Sequence, residues 1–260
     1  MNWGEMAERD ATTSRALCCA AISAFPLPIL VCDIDRIRYA NAAMASSIEA
    51  ETIEEVTGRP TDTFLHDSCV EASRIRRSLI LETGQRVGPV AVKALTSAHH
   101  CHTVTMESWP VPVLDETLIA TVVFGSSAPL RPMLAEHDTN PLLVALSEVL
   151  LDTLPVPVVI HDSESVVFTN AALNRCMCAQ DDQLLGRHFT DFVHDDAREA
   201  GEQRRALVFG PRPILRDLQL KLVALDGLPR YAKGTAVTIE VESEPHVMIA
   251  FDSIALTPAD

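Results

Sequence analysis

Apolar residues along this chain fall into short runs and helical stripes that are laid down twice. Residues 25–44 read FPLPILVCDIDRIRYANAAM and residues 154–173 read LPVPVVIHDSESVVFTNAAL, aligned without a gap at an offset of 129. In each, two prolines precede an apolar run of strand length (29–32, 158–161), a polar turn follows (33–36, 162–165), and a second apolar run closes the pair (37–40, 166–169). The prolines stop an incoming helix because they lack an N–H and clash with the preceding turn. Six of the twenty positions are identical: Pro26/Pro155, Pro28/Pro157, Asp33/Asp162, Asn41/Asn170, Ala42/Ala171 and Ala43/Ala172. Asn41 and Asn170 stand where a side-chain oxygen can accept from the free amides of a first helical turn, so both are predicted as N-caps rather than ligand contacts.

The stripes before each copy predict helices. After a polar tail over 1–12, Leu17, Ala20, Ala21 and Phe25 share one face of a helix starting near Thr13. Leu146, Val149, Leu150 and Leu154 occupy the matching positions behind an Asn140-Pro141 start. This second helix is apolar over more than one stripe, which calls for two partners: its own domain, and a second helix in this chain or a twin chain. The dimer contacts it offers are Leu143, Leu146, Val149 and Leu150.

A second matched block follows at an offset of 128: Gly58-Arg59 with Gly186-Arg187, Phe64-Leu65-His66-Asp67 with Phe192-Val193-His194-Asp195, and Arg76-Arg77 with Arg204-Arg205. A longer helix is predicted over 195–209, stopped at Gly210-Pro211. Strands are predicted at 90–95, 102–107 and 118–124, and again at 215–225, 230–241 and 247–251. Asp226-Gly227 suits the positive φ of a hairpin turn. The reading is an α+β chain of two tandem domains, each a five-stranded antiparallel sheet with helices on one face and each preceded by an α-helix. Its parts are a tail and helix (1–24), domain 1 (25–128), a linker and connecting helix (129–153, with linker composition from 126) and domain 2 (154–257).

Composition narrows the partners. Net charge is −15 and only three residues are lysine, so phosphate backbones and anionic membrane surfaces are repelled. The apolar run 16–32 is preceded by Glu5, Glu8, Arg9, Asp10 and Arg15, which carry no net positive charge, breaks at Pro26 and Pro28, and its second half recurs mid-chain. It is therefore read as domain core rather than a signal peptide or membrane span, and the protein as cytoplasmic. Seven cysteines lack any paired or zinc-like spacing, and are expected to be reduced and buried.

The order of elements, with N-A-A closing the first two strands, G-R before an F-x-H-D segment, a longer helix and a three-strand meander, resembles the PAS sensor domain. The match covers about 25–128 and 154–257 and is closer in the second copy, where TNAAL (169–173), LLGRHFTDFVHDD (184–196) and the Asp-Gly hairpin carry it. The resemblance implies a domain that senses a ligand, holds a cofactor or dimerises, and passes its state through flanking helices. It implies a pocket between sheet and helices, with candidate lining in the second copy at Phe168, Phe189, Phe192, His194, Leu207, Leu220, Leu222, Val237, Ile249 and Phe251. The same residues read equally as a filled core.

The long-helix segments 67–82 and 195–209 contain no histidine, against haem. Cys69 is followed by Val70-Glu71 rather than Arg-Phe, against flavin, so the cofactor is unknown. His100 and His102, at alternate positions of a strand, are the candidate metal ligands, weighed against an exposed polar hairpin. No phosphate loop, nucleophile elbow or HExxH motif is present, and no enzyme activity is expected. The expectation is a signal sensor that binds a small apolar or aromatic molecule, forms a homodimer and acts on a partner such as a kinase or regulator, or on a missing output domain. The alternative is a ligand-free interaction scaffold.

Overall fold

In the computed structural model the described residues are 3–125, 141–180, 182–209 and 214–257. The predicted linker (126–139), the Asn140 cap and the Gly210-Pro211 stop lie outside them. The chain divides into two compact units: Ile22–Leu150, and Met1–Ala21 together with Leu151–Asp260.

Each unit carries one five-stranded antiparallel sheet. The first holds β1 (Ile29–Cys32), β2 (Ile37–Ala40), β3 (Val87–Leu95), β4 (Cys101–Val113) and β5 (Glu116–Phe124) in the order β2-β1-β5-β4-β3. Between β2 and β3 come α2 (Ala42–Ser47) and α3 (Asp67–Thr83). The second sheet repeats this with β6 (Val158–His161), β7 (Val166–Thr169), β8 (Ile214–Val223), β9 (Pro229–Val241) and β10 (Glu244–Ala255), in the order β7-β6-β10-β9-β8. Its helices are α5 (Ala171–Cys176) and α6 (Arg198–Val208), with 3-10 turns at Phe189–Phe192 and Asp195–Ala197. The single helix predicted over 195–209 is thus a 3-10 turn leading into a shorter α-helix. The predicted hairpin is present: Gly227 has φ +78°, and Asp226 accepts from the Leu228 amide at 3.0 Å.

Helix α1 spans Trp3–Ser23, starting well before Thr13. Glu5, Met6, Ala7, Glu8 and Arg9 are good helix formers, and lengthening a formed helix costs far less than nucleating one. Up to Ala21 it belongs to the unit of the second sheet, and Thr13 Oγ1 donates to the Glu242 carboxylate at 3.3 Å. Helix α4 (Pro141–Thr153) belongs, up to Leu150, to the unit of the first sheet. Each unit therefore takes up the helix that precedes the other sheet in sequence.

The repeated asparagines explain the repeated stretch. Asn41 Oδ1 accepts from the amides of Ile29 and Met44, both at 2.9 Å, while Nδ2 donates to the carbonyls of Phe25 and Leu27 at 3.2 and 3.0 Å. Asn170 does the same for Val158 and Leu173 (both 3.0 Å) and for the Val156 carbonyl (2.8 Å). One fully buried amide in each copy ties the proline segment, the first strand and the following helix together. The N-cap prediction holds, and the cap is only part of the role.

The central strands of each sheet, β1 and β5 in the first and β6 and β10 in the second, are buried on both faces over their paired stretches, whereas the edge strands β3 and β8 are partly exposed. In β5 the run Leu118–Val123 is buried throughout, which is why it reads as continuous rather than alternating apolar sequence. Leu143, Leu146 and Leu150 of α4 are fully buried within the single chain, Val149 is half-buried and Val144 is 40% exposed. The wide apolar surface that called for two partners is covered by the chain itself.

Candidate functional site

Helix α3 is capped at its start by His66, whose side chain accepts from the Ser68 amide, and ends on Gly84 at φ +67°. Its inward stripe is Ser73, Arg76, Arg77 and Ile80, at spacings i, i+3, i+4 and i+7. Ile75 and Leu79, its large aliphatics on the opposite side, are 61% and 45% exposed. A helix that turns a serine and two arginines toward a sheet does not fill the space with packed methyl groups. A cavity of about 510 Å³ lies there, with Leu30, Cys32, Met106 and Val123 of the sheet and Met44 and Ser46 of α2 on its walls. Ser108 and Thr121, direct cross-strand partners on the same floor, share a hydroxyl hydrogen bond of 2.9 Å.

The polar groups divide into used and unused. Arg77 is buried; its Nε donates to the Ile34 carbonyl at 3.1 Å and a terminal nitrogen meets Asp62 at 2.8 Å, with Arg74 on the same carboxylate at 2.7 Å. Burial alone pushes the Asp62 carboxyl up, but the hydrogen bonds from Arg77 and Arg74 outweigh it and hold the group below the usual carboxylate range. Arg76 differs. Among the described residues its guanidinium has one hydrogen-bonding partner, the thioether of Met106 at 3.7 Å. Burial, then the neighbouring Arg77 charge, lowers its pKa from the ordinary arginine value. The buried hydroxyls of Ser46 and Ser73 have no partner among the described residues. Burial drives the Cys32 thiol up to about 12, so it lines the cavity as an inert, protonated group.

The same space in the second unit is nearly closed, at about 20 Å³. Phe192, Leu220, Leu222, Ile249 and Phe251 pack into one apolar core there, with Phe189 against it. His161 stacks on Phe189 at 4.8 Å, and the Arg187 guanidinium lies 4.6 Å over Phe192. The other candidates fall elsewhere. Phe168 is half-buried outside this core, and Leu207 is 37% exposed on α6. Val237 is buried on the reverse face, because its neighbour Ala236 points into the core. His194 caps the 3-10 turn after it, its ring nitrogen accepting from the Asp196 amide at 3.4 Å.

Strand β4 begins at Cys101, so His100 lies in the turn before it, 3.1 Å from Glu49, while His102 opens onto the first-unit cavity. Among the described residues no three His, Cys, Asp or Glu side chains are grouped to hold a metal ion. No disulfide joins any of the seven cysteines; Cys18 and Cys32 are buried, but Cys101 and Cys178 are exposed, contrary to the expectation of burial. No helix among the described residues is long and apolar enough to cross a membrane. What was missed from sequence is the α3 stripe itself. Its signal was the Arg76-Arg77 pair one turn after Ser73, on a helix whose aliphatics form no single face.

Two strands, helices, then a three-strand meander is the element order the repeat pattern implied, and each sheet closes it in the order 2-1-5-4-3. Both units are PAS-like. No family model matches the sequence, and no curated protein matches it. Solved structures similar to it include the PAS domain of a protein from Desulfitobacterium hafniense (19% identity, 40% of this chain and 96% of that one, TM-score 0.35). The PAS domain of a protein from Colwellia psychrerythraea gives 13% identity over 40% and 88%, with a TM-score of 0.36. A domain of the sensory box sensor histidine kinase/response regulator from Geobacter sulfurreducens gives 16% identity over 40% and 87%, with a TM-score of 0.34. These likenesses concern the fold of one unit.

Proposed function

We propose that the protein is a tandem PAS-like sensor whose first unit, rather than its second, binds a small and largely apolar molecule. The observation that carries this reading is the difference in cavity volume: about 510 Å³ against about 20 Å³. The former lies within the range of small-molecule sites, roughly 300–1,000 Å³. Occupancy would be relayed through α4, which joins the first-sheet unit over 141–150 and leads through the second proline segment into β6. A ligand shifts such a relay only by its difference in affinity between two states of the unit. The filled second unit then acts as the receiver, acting in turn on a partner protein.

Native mass spectrometry of freshly purified protein tests the binding. Excess mass over the denatured chain, lost in the cavity-filling variant Val123→Phe, supports the reading. No excess mass in the wild type, with no thermal stabilisation by small apolar molecules, contradicts it.

A further inference from the structure

The cavity reading leaves the chemistry of its occupant open, and the walls narrow it. We propose, resting on that reading, that the first-unit cavity takes an apolar molecule bearing a carboxylate, held by Arg76 with Ser73 as second donor. Arg76 faces the cavity with no acceptor stronger than the Met106 thioether among the described residues. A guanidinium half-removed from water normally finds an oxyanion, because the cost of desolvating a cation is recovered only by an opposite charge. The nearby carboxylates are engaged: Asp62 binds Arg74 and Arg77, and Glu49, which lines the cavity, sits 3.1 Å from His100. Arg77 beside it adds a second positive charge and lowers the Arg76 pKa further.

Ser73 supplies the independent observation. It is 4% exposed, lies one helical turn before Arg76 on the same stripe, and its hydroxyl has no partner among the described residues. A buried donor left unpaired is costly, and a ligand oxygen at this end of the cavity would satisfy it. The forked guanidinium matches the two oxygens of a carboxylate, whereas a doubly charged phosphate would ask for more cations than this one unengaged arginine. Leu30, Met44, Phe64 and Val123 offer the rest of the molecule an apolar wall.

The test is calorimetric titration of the full chain with decanoate and with its uncharged isostere decanamide. Wild type is expected to prefer decanoate by about tenfold or more, as a charge-assisted pair requires. Arg76→Met should reduce that preference to within about twofold while still binding decanamide, and Ser73→Ala should weaken decanoate alone by about threefold. Arg76→Lys should restore part of the preference, which a merely misfolded Arg76→Met would not permit.

Equal binding of the two probes by wild type overturns the carboxylate and leaves the cavity reading standing. Preference that survives in Arg76→Met overturns the assignment to Arg76. Binding of neither probe by wild type counts against the carboxylate and the cavity together.

Discussion

The two units share a repeat, a sheet order and an asparagine staple, yet one interior is open and the other packed. Three aligned positions at the offset of 128 differ in kind, the first adding bulk to the second interior and the other two changing its polarity. Thr61 on the first cavity wall answers Phe189, whose ring stacks on His161 in the second. Asp62, which holds Arg77, answers Thr190. Ser73 answers Gly201, where an added Cβ would meet only the Val193 methyls at ordinary contact distance. Backbone topology is kept by the staples and strand pairing, while the volume inside is set by a handful of side chains. A duplicated domain can thus keep one copy as a binding site and the other as a packed body.

The aligned phenylalanines give the largest expected difference. Phe192 is 5% exposed within a packed core, so Phe192→Ala should cost about 3–5 kcal/mol. Phe64, half-buried beside an existing cavity, should cost only about 1 kcal/mol on the same change, since little packing is lost. Native-state hydrogen exchange on the full chain reads the stability of each unit separately. Equal costs would dissolve the contrast between the interiors.

The staples should behave alike. Asn41→Ala and Asn170→Ala each strand two buried amides and the carbonyls they face, for about 2–4 kcal/mol apiece in the unit concerned. A much larger loss in one unit, measured by the same exchange, would show that its proline segment is held by something else.

Acid gives the smallest effect, and through the aligned pair Asp62/Thr190 it acts on the first unit alone. The Asp62 carboxyl sits below its unfolded value of about 3.9, so its contribution is present above that pH and fades as pH falls through the lower folded pKa. Thr190 gives the second unit no such group at this position. Protection of the first unit, measured against the intrinsic exchange rate at each pH, should therefore fall below about pH 4, and Asp62→Asn should flatten that fall while leaving a weaker unit at neutral pH. An unchanged acid profile in Asp62→Asn would place the sensitivity elsewhere.

The parts of this fold legible in the sequence are those set by local hydrogen bonding and alternation. Asn41 and Asn170 announced helix starts because their side chains satisfy amides only a few residues away, and the Asp226-Gly227 hairpin needed only its turn chemistry. The open interior was illegible because apolar residues are read as facing inward. Helix α3 reverses this, with Ile75 and Leu79 in solvent and Ser73 and Arg77 buried, and Leu207 on α6 is exposed for all its hydrophobicity. The Arg76-Arg77 doublet was visible, but which arginine is engaged depends on Asp62, placed beside Arg77 only by the folded chain. Burial of α4 depended likewise on which unit takes up which helix, which composition does not carry.

Methionine methyl groups report both interiors at once: Met44 and Met106 line the first cavity and Met177 lines the second. In a ¹³C-methyl NMR titration of the full chain with decanoate, the Met44 and Met106 resonances should move in a saturable way while Met177 stays in place. Movement of Met177 with Met44 and Met106 unchanged, or no movement at any of the three, would contradict the claim that the first unit is the binding site.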